Sequence, residues 1–219
     1  MIEACSLMLA IVGPILITYF LVELNYLLRS LVYYISANFF KKRTFILDET
    51  TVTGICLSTD VDYLLNHMNN ARYIRELDFA KLDFYERTMF HKTVTSKGGA
   101  IFVAATTIRY RKFIKIFSRY KLSTKIIYWD SQHIYIEHKF LSMDKFVNAI
   151  AISKVRLMNC DTEEVMQVLL QHTPKNLDVE AGRRVKPPIP VELVKWNEYN
   201  QVSSQKLRSE NTSGYVQVV

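Results

Sequence analysis

Hydrophobic and polar positions fall into distinct regimes along the chain. From Ala4 to Val22 no side chain is charged, and SLMLAIVGPILITYFLV within that run is nearly all apolar. These 19 residues approach the ~20 that a helix needs to cross a hydrocarbon core. Pro14 is compatible with a membrane helix. The stretch from Leu24 to Phe40 carries one charge, Arg29, and three tyrosines, Tyr26, Tyr33 and Tyr34, as in an interfacial belt. Lys41-Lys42-Arg43 follows.

Beyond residue 43 the pattern is that of an α+β domain. Residues 43–59, RTFILDETTVTGICLST, partly alternate and are rich in β-branched residues, which predicts one or two strands. The period then changes. In HMNNARYIRELDFAKLDFYERTMF, Tyr73, Leu77, Ala80 and Phe84 recur at helical spacing, while Arg72, Arg75, Glu76, Asp83 and Glu86 occupy much of the remaining surface. Asn69 or Asn70 can cap this helix. After Gly98-Gly99 the period returns to two through IFVAATTIRYRKF, FSRYKLSTKIIYWD, HIYIEHKFLSMD and KFVNAIAISKVRLM. Links this short make neighbouring strands antiparallel. The prediction is an antiparallel sheet with a long helix buried against it. Residues 161–172 form a short helix opened by Asp161, KPPIP is a linker, and a last helix runs from about Val191 to Lys206. The tail from Ser209 is polar and loose.

Three segments result: an N-terminal membrane anchor over 1–40, a folded domain over 41–175, and a C-terminal helix and tail over 176–219. The apolar run lacks the basic start of a signal peptide, which favours an uncleaved anchor. Small residues near Ser36-Ala37 keep the alternative of secretion after cleavage open. Cations on the C-terminal side of the run orient the domain to the cytosol.

Composition narrows the field. Hydrophobic residues at 49% and charged residues at 22% exclude a mainly disordered chain. Three cysteines, Cys5, Cys56 and Cys160, exclude a disulfide framework and have no metal-ligand spacing. No metal or cofactor is expected. The net charge of +7 favours anionic partners. Between Ala100 and Trp129 there is no acid, against Arg109, Arg111, Lys112, Lys115, Arg119, Lys121 and Lys125. These suit phosphates or an anionic membrane face, or are simply the wet side of strands. Without a nucleic-acid motif, nucleic acid is not an expected partner.

The chemistry concentrates in LSTDVDYLLNHMNNARYIRELDFAK. Asp60 and Asp62 end a strand, a short loop carries Asn66 and His67, and a helix begins among asparagines. A carboxylate facing a helix N-terminus can serve as base or nucleophile, with the helix amides polarising a carbonyl. The same residues are also ordinary turn and cap residues. Cys56 has no evident base and reads as a small buried residue.

Asp-x-Asp, a short loop, and HMNNARY followed by a charged helix resemble the hot-dog-fold acyl-CoA thioesterases of the 4-hydroxybenzoyl-CoA type. The sequence is closer still to the membrane-associated branch known as thioesterase superfamily member 6. That resemblance rests on the hydrophobic N-terminus, HMNNARYIRELDFA, Arg109-Tyr110-Arg111 and WDSQHIYIEHKF. It implies an antiparallel sheet wrapped around a central helix, a homodimer with its site between subunits, acyl-CoA as substrate or ligand, and an endoplasmic reticulum membrane location. It places the catalytic carboxylate on Asp62, a second acid on Asp78, and substrate contacts on His67, Asn69, Asn70 and Tyr73. The loop Tyr63-Leu64-Leu65-Asn66 departs from the family, being apolar and one residue longer. Two functions follow: hydrolysis of fatty acyl-CoA to fatty acid and CoA, or acyl binding and scaffolding with a degenerate site.

Overall fold

The computed structural model describes residues 10, 12–15, 23–64, 66–172 and 184–216, with side chains as far as residue 210. Most of the uncharged run at residues 4–22, where a hydrophobic N-terminal helix is anticipated, lies outside the described residues. No helix of the described residues is long and apolar enough to cross a membrane.

Five strands form one antiparallel sheet in the order β1-β3-β4-β5-β2. They are β1 (Thr50–Ile55), β2 (Ala100–Tyr110), β3 (Arg119–Trp129), β4 (His133–Ser142) and β5 (Val147–Met158). The four period-two stretches after Gly99 are β2 to β5. Residues 43–59 give a single strand, because the chain turns at 46–48 before it pairs. The central helix α2 (Asn70–Arg87) opens at Asn69, whose side chain accepts from the Ala71 amide at 2.9 Å. It lies against the concave face. Tyr73, Leu77 and Ala80 meet Leu122, Phe140, Ala149 and Ala151 in one cluster, and Phe84 meets Ile126, Ile134, Ile136 and Val155 in another.

α2 ends where the Thr88 hydroxyl donates to the Phe84 carbonyl at 2.7 Å. Met89 then takes a left-handed conformation (φ 63°), so Phe90 starts a separate helix, α3 (Phe90–Ser96). Helix α4 (Thr162–Gln171) is capped by Asp161, which accepts from the Glu164 amide at 2.8 Å. Helix α5 (Val191–Val216) is longer than the sequence pattern predicts: residues 209–216, expected as a loose tail, continue it. Leu193 and Trp196 seat its first turns on the convex face beside Tyr135.

The largest correction concerns the polar side of α2. Glu76, Asp83 and Glu86 are buried rather than solvated, at 3%, 0% and 7% exposure. Their partners come from the N-terminal segment, which packs as helix α1 (Leu24–Ile35) and a π turn (Ser36–Phe40) along α2. Arg29 grips Glu76 with two hydrogen bonds, at 2.7 and 2.8 Å, while its guanidinium sits 4.1 Å over the Phe79 ring. Tyr33 stacks on Phe79 at 5.3 Å. Lys41 reaches Asp83 at 2.5 Å, and Asn38 donates to Glu86 at 3.0 Å. The central helix is thus covered on both sides. Sheet residues supply apolar contacts, and α1 with its following turn supplies mostly cations and rings.

Candidate active site

After β1 the chain makes a short 3-10 turn (Ser58–Asp60) and then a small hairpin that delivers Asp62 opposite His67. Val61 pairs with Met68, and the Asp62 amide donates to the His67 carbonyl at 3.0 Å. The hairpin tip is the loop Tyr63-Leu64-Leu65-Asn66. Tyr63 is 89% exposed and Leu64 is exposed, so these apolar side chains point into solvent. Leu65 lies outside the described residues.

His67 does have a partner, which the sequence alone does not reveal. Its Nε2 lies 3.3 Å from Asp62 Oδ2, and its Nδ1 lies 3.1 Å from the Met68 carbonyl. A carbonyl can only accept, so Nδ1 carries a proton in that contact. The contact to Asp62 is then a hydrogen bond when Nε2 is protonated as well. Phe113 holds the ring by parallel stacking at 4.1 Å. The other carboxylate oxygen, Asp62 Oδ1, is buried and meets no hydrogen-bond donor among the described residues. An unsatisfied buried carboxylate oxygen is costly. It marks the place where a proton-bearing ligand or a water would be welcomed.

Asp60 is different. It is buried at 4% exposure, its Oδ2 accepts from the Leu57 amide at 2.9 Å, and its Oδ1 lies 2.8 Å from Arg72 Nε. Strand alternation cannot separate Asp60 from Asp62. Their partners do: Asp60 ties the turn to α2 through Arg72, and Asp62 meets His67 across the small hairpin. Arg72 also approaches Glu76 at 3.3 Å.

The helix start is already well used. The Asn69 amide donates to the Asp60 carbonyl at 2.8 Å, the Ala71 amide to the Asn69 side chain, and the Arg72 amide to the Asn69 carbonyl at 2.9 Å. The Asn70 amide is the first-turn donor that these bonds do not engage. Asn69 and Asn70 are exposed next to the site, and the Asn70 carbonyl accepts from Tyr110 at 3.0 Å. Tyr73 is buried at 2% exposure beneath them. Its hydroxyl accepts from the Ile114 amide at 3.3 Å, and burial pushes its ionisation up to about 12. Ile114 in turn accepts from the Met68 amide at 2.8 Å. Tyr73 therefore holds the 111–118 loop against the hairpin.

Asp78 is not brought to Asp62. It sits nine residues beyond the cap, ~13 Å further along α2. Its side chain is about half exposed and pairs with Lys81 at 2.9 Å. It lines a separate groove of about 530 Å³ with Tyr26, Tyr85, Ile101 and Val103. Cys56 is fully buried, and burial together with the nearby Asp60 pushes its thiol up to about 11, so it is no nucleophile. No cluster of metal-ligating side chains occurs among the described residues. Phe113 and Lys115, which flank the site from the 111–118 loop, carry no motif that would single them out. Lys115 enters through its backbone bridge to His67.

Residues 56–197 match the thioesterase-like superfamily. The THEM6 protein of Drosophila melanogaster is 38% identical over 197 residues, 90% of this chain and 96% of that protein. The chain belongs to the THEM6 group of the thioesterase-like superfamily. The THEM6 protein of Xenopus laevis is 32% identical over 201 residues, covering 91% of each chain. Among solved structures, the probable thioesterase YbaW of Escherichia coli superposes with a TM-score of 0.51 at 18% identity, over 58% of this chain and 98% of that one. That likeness shows the hot-dog fold. In this chain the HMNNARY sequence is the hairpin exit and helix cap described above.

Proposed function

We propose that the chain is a membrane-anchored acyl-CoA thioesterase that hydrolyses fatty acyl-CoA to fatty acid and CoA. The observation that carries this reading is Asp62. One of its oxygens lies 3.3 Å from His67 Nε2 and the other is buried without a donor among the described residues, beside a helix start. In this reading Asp62 removes a proton from the attacking water. His67, stacked on Phe113, fixes the carboxylate, and the Asn70 amide is the donor nearest to hand for the developing oxyanion. An apolar groove of about 600 Å³ between α1 and β1 runs up to Asp60 and suits an acyl chain. The exposed cations Arg111, Lys112 and Lys115 suit the CoA phosphates.

A homodimer would bring Asp78 of a second copy toward a site that one chain leaves unfinished. The endoplasmic reticulum membrane is the location, with residues 41–219 in the cytosol. The exposed apolar face that follows the uncharged run supports attachment, with Leu31 at 53%, Phe39 at 77% and Phe40 at 82% exposure. A second reading, acyl binding without hydrolysis, is favoured by one observation: the Asn69, Ala71 and Arg72 amides already have acceptors within the chain.

Hydrolysis of a panel of acyl-CoAs by the full chain, with Asp62→Asn beside it, tests the choice. Turnover in the wild type that collapses in the variant supports the enzyme. Saturable acyl-CoA binding with no turnover in either supports the binding protein.

A further inference from the structure

The convex face of the sheet carries a second feature that the thioesterase reading does not use. Where the C-terminal half of α5 crosses the ends of β4 and β5, it leaves a groove of about 490 Å³. Its floor is basic. Lys154 and Arg156 lie two residues apart on β5 and so project from the same face, ~7 Å apart. His133 on β4 stands directly across from Arg156. Gln132, Asn200, Gln205 and Arg208 also line it, and among the described residues no carboxylate does.

Neither Lys154 nor Arg156 forms an ion pair with an acid among the described residues. Lys154 donates to the Asn197 side-chain oxygen at 3.4 Å and lies 5.7 Å from the Tyr135 ring centroid. Arg156 is exposed. Asp130, the acid beside His133, is turned to other work. It accepts from the Gln132 and His133 amides at 2.8 Å each and from the Tyr135 hydroxyl at 2.9 Å, with His133 Nδ1 at 3.4 Å. Burial, with Lys154 and Arg156 nearby, holds the His133 imidazole below its ordinary value, so at neutral pH it is a neutral donor and acceptor. Independently, the Asn200 side-chain nitrogen is buried and meets no acceptor among the described residues. A groove with two uncompensated cations, an unsatisfied amide donor and two glutamines lacks one thing, a multivalent oxygen acceptor.

We propose that this groove binds a phosphate ester larger than inorganic phosphate, such as the diphosphate of a nucleotide. Phosphate oxygens accept from the Lys154 ammonium, the Arg156 guanidinium and the Asn200 amide together. The same chemistry exists in a soluble ester and in a phosphorylated lipid headgroup. The fold favours the soluble one. Helix α1 packs on the far side of α2, so α2 and the whole sheet stand between it and the groove. With the N-terminal run in a bilayer, the groove faces water. That choice of source rests on the proposed membrane attachment, whereas the anion site does not.

The test uses the full chain in detergent micelles, titrated calorimetrically with ADP and with inorganic pyrophosphate. Saturable binding of ADP is expected, weakened about tenfold or more by Arg156→Glu. Asn200→Ala, which leaves the charge untouched, should weaken it severalfold. Lys92→Glu makes the same charge change at an exposed position on α3 and should have no effect. No saturable binding of either probe overturns the site, as does an equal loss in Lys92→Glu, which would mean net charge alone. Binding to vesicles containing phosphatidylinositol bisphosphate that Arg156→Glu abolishes, without binding of the soluble probes, overturns the soluble source. Because none of these readouts involves hydrolysis, they stand or fall apart from the Asp62 mechanism.

Discussion

Asp60 and Asp62 show what a sequence can and cannot tell at the scale of one residue. The family resemblance names the second as catalytic, and the geometry supplies a physical reason for treating them differently. Asp62→Asn keeps the shape and loses the proton acceptor, so turnover should fall at least about a hundredfold with the unfolding midpoint nearly unchanged. Asp60→Asn should do the reverse, lowering stability through the weakened Arg72 contact while leaving a larger share of turnover. Parallel rate and denaturation measurements on both variants decide it. His138 makes a different prediction. It is fully buried on the concave face, bonded to Thr124 at 3.0 Å, and burial with Lys81 nearby pushes it down to about 3. The folded state therefore holds it neutral while the unfolded chain takes up a proton near pH 6.5. Stability is full above that value and falls by about 1.4 kcal/mol per pH unit below it. Urea midpoints measured from pH 7 to 5 should drop accordingly, and His138→Gln should flatten that slope. Neither the His67–Asp62 contact nor the burial of His138 was legible beforehand. The first depends on a tight hairpin at 61–68 and the second on which strands lie side by side, and periodicity encodes neither.

At the scale of elements, period and turn chemistry located the central helix, its cap to Asn69 or Asn70, and the last four strands. The error lay on the wet side of α2. Glu76, Asp83 and Glu86 have the spacing of a solvated face, and nothing local says otherwise. What buries them is a segment more than forty residues upstream, whose apolar character points to a membrane rather than to a helix partner. Arg29 is the signal that was there to be used, a lone cation in a long apolar stretch. Burying Glu76 is tolerable only while Arg29, Arg72 and the Tyr120 hydroxyl, at 2.9 Å, surround it. Arg29→Met should therefore cost about 2–4 kcal/mol by stranding the carboxylate. Glu76→Gln in the same background should cost less than the two single changes added together. A double-mutant cycle by urea denaturation reads that coupling, and strict additivity would mean that the pair does not hold α1 to α2.

The whole molecule raises the questions of what covers its edges and which way it faces. β1 and β2 are both edge strands, and β2 exposes Phe102 at 56% and Val103 at 45%. An unpaired apolar edge is a liability that pairing with a second copy removes. The full chain should therefore scatter light as a dimer of 25.6 kDa chains, and Val103→Lys should shift it toward monomer. Orientation can be read with a reporter already present. Lys41, Lys42 and Arg43 follow the uncharged run, and positive charge is retained on the cytosolic side. The chain carries one glycosylation sequence, Asn211-Thr212-Ser213, near its C-terminal end. With the domain in the cytosol, Asn211 never meets the lumenal transferase. The expressed protein should show no mass shift on glycosidase treatment, while a sequon on an N-terminal extension should be modified. A glycosidase-sensitive shift removed by Asn211→Gln would instead place residues 41–219 in the lumen. It would also cut Asp62 off from cytosolic acyl-CoA, so this one measurement constrains the proposed reaction as well as the topology.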